Sequence, residues 1–355
     1  MGAPRPPLGA LDDRDGNHPT WWGVVRCRSH PPAPLAPRGE AALRARSTLN
    51  LAAIDVGTNT ALLLVARIRE DGTIGTLAER AEITRLGRGI GGDGTLGAEG
   101  IARTLEALRG YAEIARGHGA KVAAVGTEAL RRAPNAAAFL EPAAEILGAP
   151  IEVIDGTREA ALTFRAVAAA FPDALAGDLV VLDIGGGSTE IVIASGGTVR
   201  FEVSLPLGSV RFTEKFIRHD PPQADEMAAT VEAIDRAIAT VPFPPAGATL
   251  VGVAGTVTSL AAMAESLASY DPLRVHGYRL SRTALASQIA RLAGATQAER
   301  ERMTGLDPRR ADVILAGALI LERLATAVGV PEVLVSDRGI RWGLLHEMAE
   351  APRVA

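Results

Sequence analysis

The chain has one cysteine among its 355 residues, Cys27, so it holds neither a disulfide framework nor a thiolate metal nest. A lone thiol fits a reducing compartment, and the expected location is cytoplasmic. Lysine is nearly missing: Lys121 and Lys215 are two of 37 basic residues, and the other 35 are arginine. Arginine's planar fork suits bidentate phosphate contacts, although a GC-rich genome is the simpler source of the bias. The longest strongly apolar run, Val313 to Leu321, is far below the ~20 residues that span a bilayer. Trp21 to Val25 is too short, and too interrupted by nearby proline, for a signal-peptide core. No membrane association is expected.

Positive charge is not in excess either. The net charge is −4, unevenly spread. Residues 1–46 carry seven arginines against four acids, which leaves 30 bases and 37 acids for the remainder, a net of −7. An acidic body argues against sequence-independent nucleic-acid binding, which neutralises many phosphates. A polyanionic ligand would have to be held by local arginines and backbone N–H groups. Residues 1–46 also contain eight of the 22 prolines and no periodicity, and are expected to be a disordered extension. The whole chain is 47% hydrophobic and long enough for two ordinary domains.

What is present is a repeat. Leu51-Ala52-Ala53-Ile54-Asp55-Val56-Gly57-Thr58-Asn59-Thr60 has a counterpart 128 residues later, from Leu179 through Leu182-Asp183-Ile184-Gly185-Gly186-Gly187-Ser188-Thr189-Glu190. Each is an apolar run ending in Asp-x-Gly, then small or hydroxyl residues, then another apolar run. That order predicts strand, tight turn, strand. Glycine and small residues let backbone N–H groups approach a ligand, and such amide nests favour anions. The Asp at each turn can hold a cation or its water; an Asx-turn closing the hairpin is the competing role.

Around the repeats, Asp71-Gly72 predicts a further hairpin strand, and Ile101, Leu105, Leu108 and Ile114 a helix ending near Gly117. Strands are expected at 122–125, 151–154, 198–205, 249–253 and 333–335. Helices are expected at 127–132, from Asp155-Gly156-Thr157 onward, at 222–238 and at 340–348. Asp312 to Val328 is apolar nearly all round, as for an internal helix. Each half thus opens with hairpin strands and then alternates strands and helices. The expectation is α/β: a duplicated pair of mixed sheets covered by helices, with the ligand between the copies.

Paired turns of this kind resemble the phosphate loops of the actin, hexokinase and acetate-kinase superfamily. Within it, the chain resembles the exopolyphosphatase and guanosine pentaphosphate phosphohydrolase family over residues 48 to 350. Four segments carry the likeness: Asp55 to Thr60, with Thr at both positions where Ser is usual; Gly126-Thr127-Glu128-Ala129-Leu130-Arg131 to Asn135; Asp183 to Glu190; and Ser336-Asp337-Arg338-Gly339-Ile340-Arg341-Trp342-Gly343-Leu344-Leu345, where Trp342 replaces a usual Glu. The resemblance implies two duplicated RNase H-like (actin-like ATPase) domains, each a mixed five-stranded sheet with flanking helices, and a cleft between them. The boundaries expected are 47–157 for the first domain, completed by a closing helix at 339–355, and 158–338 for the second. Larger members carry further C-terminal helical domains, so this chain resembles the short form, for which shorter phosphate chains are expected to suit better.

Hydrolysis of a phosphoanhydride needs charge neutralisation, an in-line water and a group to orient or deprotonate it. Backbone N–H groups of Gly57, Thr58 and Asn59, and of Gly185, Gly186, Gly187, Ser188 and Thr189, are the expected phosphate contacts. Mg²⁺ (or Mn²⁺) is expected at Asp183 and Asp55. The resemblance makes Glu159, at a helix start, the water-activating base; a first-turn Glu complementing the helix dipole is the alternative. Glu190 would help position metal or water. Arg131, and more weakly Arg310, are candidates for the substrate chain. Gly255 and Thr256 resemble the superfamily's nucleoside-side loop. His276 and His219 lack paired ligand spacing and are expected to be structural or exposed.

The implied activity is Mg²⁺-dependent release of terminal orthophosphate from inorganic polyphosphate, with guanosine pentaphosphate as the alternative substrate. A kinase of the same fold, or a nucleotide binder without turnover, are the rival classes. A homodimer is an expectation of the family alone.

Overall fold

The structure, a computed structural model, describes residues 49–69, 72–90, 94–245 and 247–350. The extension expected at 1–46 lies outside the described residues, as do the last five residues.

In the first half, β1 (Leu49–Val56), β2 (Thr60–Ile68) and β3 (Ile74–Ile83) form an antiparallel meander. Helix α1 (Ala98–Gly117) leads to β4 (Lys121–Gly126), which pairs parallel to β1. Helices α2 (Glu128–Arg132) and α3 (Ala137–Leu147) precede β5 (Ile151–Val153), giving the order β3-β2-β1-β4-β5. The pattern had not marked α3, whose Pro142 sits inside the helix and reads as a breaker. Helix α4 (Gly156–Ala170) follows, its first turn capped by Asp155, which accepts from the Arg158 N–H at 2.8 Å.

The second half repeats the plan with β6 (Asp178–Ile184), β7 (Thr189–Ser195) and β8 (Thr198–Leu205). Helices α5 (Ser209–Phe216) and α6 (Ala224–Ile238) lead to β9 (Thr249–Val253), and α7 (Ala254–Ala264) and α8 (Pro272–Val275) to β10 (Arg279–Ser281). Then come α9 (Arg282–Ala293), α10 (Gln297–Arg300), α11 (Ile314–Val328), β11 (Glu332–Val335) and α12 (Ile340–Glu350). This sheet has six strands, in the order β10-β11-β9-β6-β7-β8, not the five expected. The extra one, β10, is a three-residue edge strand antiparallel to β11, too short for any alternation to announce it.

Both faces of each sheet are covered, which is why the strands read as continuous apolar runs rather than alternating ones. Ala52, Ile54 and Val56 face α1 and α3, where Leu108 and Phe139 are fully buried. Leu51 and Ala53 face α12 through Ile340, Leu344 and Leu345. In the second half, α11 is buried nearly all round, as its composition demands, against Val180, Leu182 and Ile184. Helix α4 has two apolar faces. Leu162 and Ala166 meet α12, while Ala160 and Val167 meet the second sheet. The α4–α12 pair is therefore one of the contacts that join the halves.

Candidate active site

The two turns have one geometry. The Gly57 N–H donates to the Thr60 carbonyl at 3.0 Å, and the Gly185 N–H donates to the Ser188 carbonyl at 2.9 Å. Those two amides close the turns and are not left for a ligand, which narrows the expected set. The amides of Thr58, Asn59, Gly186 and Gly187 make no backbone–backbone hydrogen bond among the described residues. The loops face each other directly: a Cβ on Gly186 would lie 3.2 Å from Thr58 Cβ and 3.3 Å from Asn59 Cβ. Asn59 adds a buried side-chain Nδ2 donor without a partner. An unpaired buried donor between two amide loops is an arrangement that an anion satisfies.

These loops line a cavity of about 980 Å³. Of the residues singled out in the sequence, Asp55, Glu159, Asp183, Gly255, Thr256 and Arg310 also line it. Thr189, Glu190 and Arg131 stand behind it. The Thr189 hydroxyl donates to the Leu207 carbonyl, so its side chain belongs to the core. Glu190 lies directly opposite Asp183 in the β6–β7 register, fully buried, with Oε1 accepting from Ser204 at 2.7 Å and Oε2 without a partner. The matching position in the first hairpin, opposite Asp55, is Leu62, so only the second copy carries this added acid. Arg131 donates to the Ile154 carbonyl at 2.6 Å and stands 3.4 Å from Glu159 Oε2; its charge is directed at Glu159.

Four carboxylates thus share one buried region. Burial raises Asp55 to about 7, with Asp183 adding to the shift and Arg341 opposing it. Burial raises Asp183 to about 6 against a hydrogen bond from Thr163, whose hydroxyl donates at 2.9 Å. Glu190 is raised to about 8 by burial and then by Asp183. Glu159 is held well above the usual carboxylate range by burial first, then by Glu190 and Asp183, with Arg131 pulling the other way. Such crowding is what a cation relieves. The Asp55 Oδ1 atom is buried with no hydrogen-bond partner, an acceptor that a metal or its water would satisfy. Among the described residues no three His, Cys, Asp or Glu side chains form a ready nest. Two aspartates still fit Mg²⁺, which takes one or two carboxylates and keeps its waters.

On the other wall, Ala254 opens α7 with φ of 70°, a left-handed conformation an L-residue rarely holds. Gly255 follows with the Arg310 guanidinium laid over it; a Cβ there would lie 2.2 Å from Arg310 Nη1. Arg310 also reaches the first loop, donating to the Thr60 hydroxyl at 3.3 Å. Thr256 packs its side chain on Gly317 of α11. Neither histidine enters the site: His276 stacks on Phe171 at 4.9 Å, and His219 meets Glu226 at 3.0 Å.

Three site groups carry roles that the motifs do not assign: Arg341, Asp337 and Glu128 lie inside those motifs, and Tyr270 lies outside them. Arg341, from α12, lines the cavity and donates to the Leu63 carbonyl at 3.0 Å. Tyr270 and Asp337 share a hydrogen bond at the cavity wall. Glu128, inside a segment already singled out, is buried between the loops. Its sequence signals were membership of that segment and its place one helical turn before Arg132, with which it pairs.

Two matching mixed sheets flanking a cleft, with paired amide turns and clustered carboxylates, define an actin-like enzyme that handles phosphoryl groups. The sequence profile of the Ppx/GppA phosphatase family matches residues 64–351, and the chain belongs to that family of phosphoanhydride hydrolases. Over 316 residues it is 37% identical to exopolyphosphatase 2 of Mycobacterium tuberculosis, covering 84% of this chain and 98% of that one. It is 31% identical over 308 residues to the guanosine-5'-triphosphate,3'-diphosphate pyrophosphatase of Vibrio parahaemolyticus, covering 85% of this chain and 60% of the longer relative. The crystal structure of the Aquifex aeolicus member of the Ppx/GppA family, 35% identical, superposes with a TM-score of 0.73 over 85% of this chain and 98% of that one. Among the described residues no helix is long and apolar enough to cross a membrane.

Proposed function

We propose that this chain is an exopolyphosphatase, releasing orthophosphate from the end of inorganic polyphosphate. The supporting observation is the meeting of both amide loops in one cavity that also contains the Glu159 carboxylate. The terminal phosphoryl group sits between Thr58–Asn59 and Gly186–Gly187, where fixed N–H dipoles offset its charge. Arg310 offers a further positive group on the same wall. Glu159 accepts a proton from the attacking water, whose oxygen bonds to the terminal phosphorus as the anhydride P–O bond to the chain breaks. Burial and the neighbouring acids raise the pKa of Glu159, so it holds a proton more readily than a free carboxylate. Arg131 orients it. Asp55 and Asp183 would hold the divalent cation, Mg²⁺ or Mn²⁺, whose charge would offset that on the phosphoryl oxygens.

Guanosine pentaphosphate is the second reading, favoured by one observation. The cavity continues past the loops to Leu267, Tyr270 and Leu306, apolar surface that a bare phosphate chain does not need. Orthophosphate release from long polyphosphate, guanosine pentaphosphate and ATP, measured side by side with Mg²⁺, separates the readings. Turnover of polyphosphate without any acceptor is expected. Turnover that requires an organic acceptor hydroxyl would replace the hydrolase with a kinase.

A further inference from the structure

The cavity has two unlike ends. Sheet order places β3 and β4 on opposite sides of the β1–β2 pair, and the cavity lining includes Thr76 to Ala81 on one side and Thr127–Glu128 on the other. The β3 side opens to solvent: Thr76, Arg80 and Ala81 line the cavity and are exposed. The β4 side is filled by the Glu128 side chain. It comes from α2 in the first half and lies against the second half's loop so closely that a Cβ on Gly187 would stand 2.0 Å from Glu128 Oε2. Glu128 is 5% exposed. Its Oε2 accepts from the Thr58 hydroxyl at 3.3 Å, and its Oε1 from Arg132 at 3.0 Å and from Arg211. Arg211, from α5 in the second half, also donates its Nε–H to the Gly187 carbonyl at 2.7 Å. Glu128 lines the cavity, whereas Arg132 and Arg211 lie outside its lining.

We propose that Glu128, locked in place by Arg211, is a specificity-determining stop: it closes the β4 end of the cleft, so that an anionic chain enters from the β3 side and only its terminal phosphate reaches the loops. This rests on reading the cleft as a polyphosphate site. The chemistry is simple. A chain running through the cleft would have to place a phosphate where a buried carboxylate already stands. Two guanidinium groups hold the carboxylate in that space, and its oxygens, acceptors only, have no hydrogen bond to offer a phosphate oxygen. Attack at chain ends then follows from the shape and charge of the binding site and needs no separate recognition of the end.

The test is binding, so it does not depend on turnover. Linear polyphosphate is compared with chains of the same length blocked at both ends by alkyl caps. The wild-type protein should bind the free-ended chain at least roughly tenfold more tightly, since a capped end cannot seat at the stop. In Glu128→Ala the preference should fall to about one, because inner phosphates can then pass the opened end. Glu128→Gln keeps the shape and removes the charge; the preference should narrow to about threefold. If Glu128→Ala does not fold, the Gln variant decides. Equal binding of both chains by the wild type, or a preference unchanged in a folded variant, overturns the proposal. Orthophosphate release from the free-ended chain is followed separately. A protein that prefers free ends yet releases no orthophosphate would retain the stop and lose the hydrolase reading.

Discussion

Gly343 of α12 meets the backbone of Leu162 in α4 so closely that a Cβ on it would stand 2.0 Å from the Leu162 carbonyl oxygen. The two helices that join the halves can approach this far only because position 343 has no side chain. Since α4 also carries Glu159, helix spacing and the position of the proposed base are linked.

Gly343→Ala therefore forces backbone apart and should cost about 1–3 kcal/mol, the usual range for overpacking. The thermal midpoint should drop and kcat should fall more than KM rises, because the base moves while the loops stay. Gly110→Ala is the control. It lies in α1 with nothing within 4 Å of the added Cβ and should be neutral or stabilise by about 0.5–1 kcal/mol. Equal midpoints for the two variants would contradict this account of the α4–α12 contact.

Glu159→Gln should lower kcat by about 10²–10⁴-fold while substrate affinity changes little, as for removal of a general base. Steady-state orthophosphate release and equilibrium binding separate the two effects. Retention of most of the rate would assign water activation elsewhere.

Chelation should abolish turnover, and Mg²⁺ or Mn²⁺ should restore it. Asp183→Asn should raise the Mg²⁺ needed for half-maximal rate by more than roughly tenfold, the lower bound expected when a partner of a metal site is lost. Asp55→Asn should act in the same direction. A rate indifferent to chelator would remove the cation from the mechanism.

The carboxylate cluster predicts an unusual pH dependence of stability. Asp55, Asp183 and Glu190 are raised to about 7, 6 and 8, each by burial first. A carboxylate with a higher pKa folded than unfolded binds its proton more tightly in the native state. Its favourable contribution is complete below the unfolded value and is lost as pH rises through the folded one. In chelator, the thermal midpoint should therefore fall between about pH 5.5 and about pH 8.5, and Mg²⁺ should remove much of that slope. A midpoint rising across that window in chelator would count against the cluster.

Much of the site was legible along the chain, because its parts are local. Asp55 to Asn59 and Asp183 to Ser188 form turns whose hydrogen bonds span only three residues, so the motif and the geometry are the same object. Helix α3 was hidden by Pro142 and β10 by its three-residue length. Arg341 stands in the closing motif, but its role was not legible there: it reaches the cavity from α12, 286 positions beyond Asp55, whose charge it moderates.

The sequence by itself determined the paired turns, their spacing and the apolar runs that demand helices on both faces of each sheet. Backbone hydrogen bonding and hydrophobic periodicity act over a few residues, and both are written in order along the chain. Only the tertiary structure decided which amides remain for a ligand, that Thr189 turns into the core, and that Glu128 and Arg211, 83 residues apart, meet across the cleft. Those outcomes depend on packing two halves against each other. Close approach and charge pairing are set there by distance in space, which residue order does not encode.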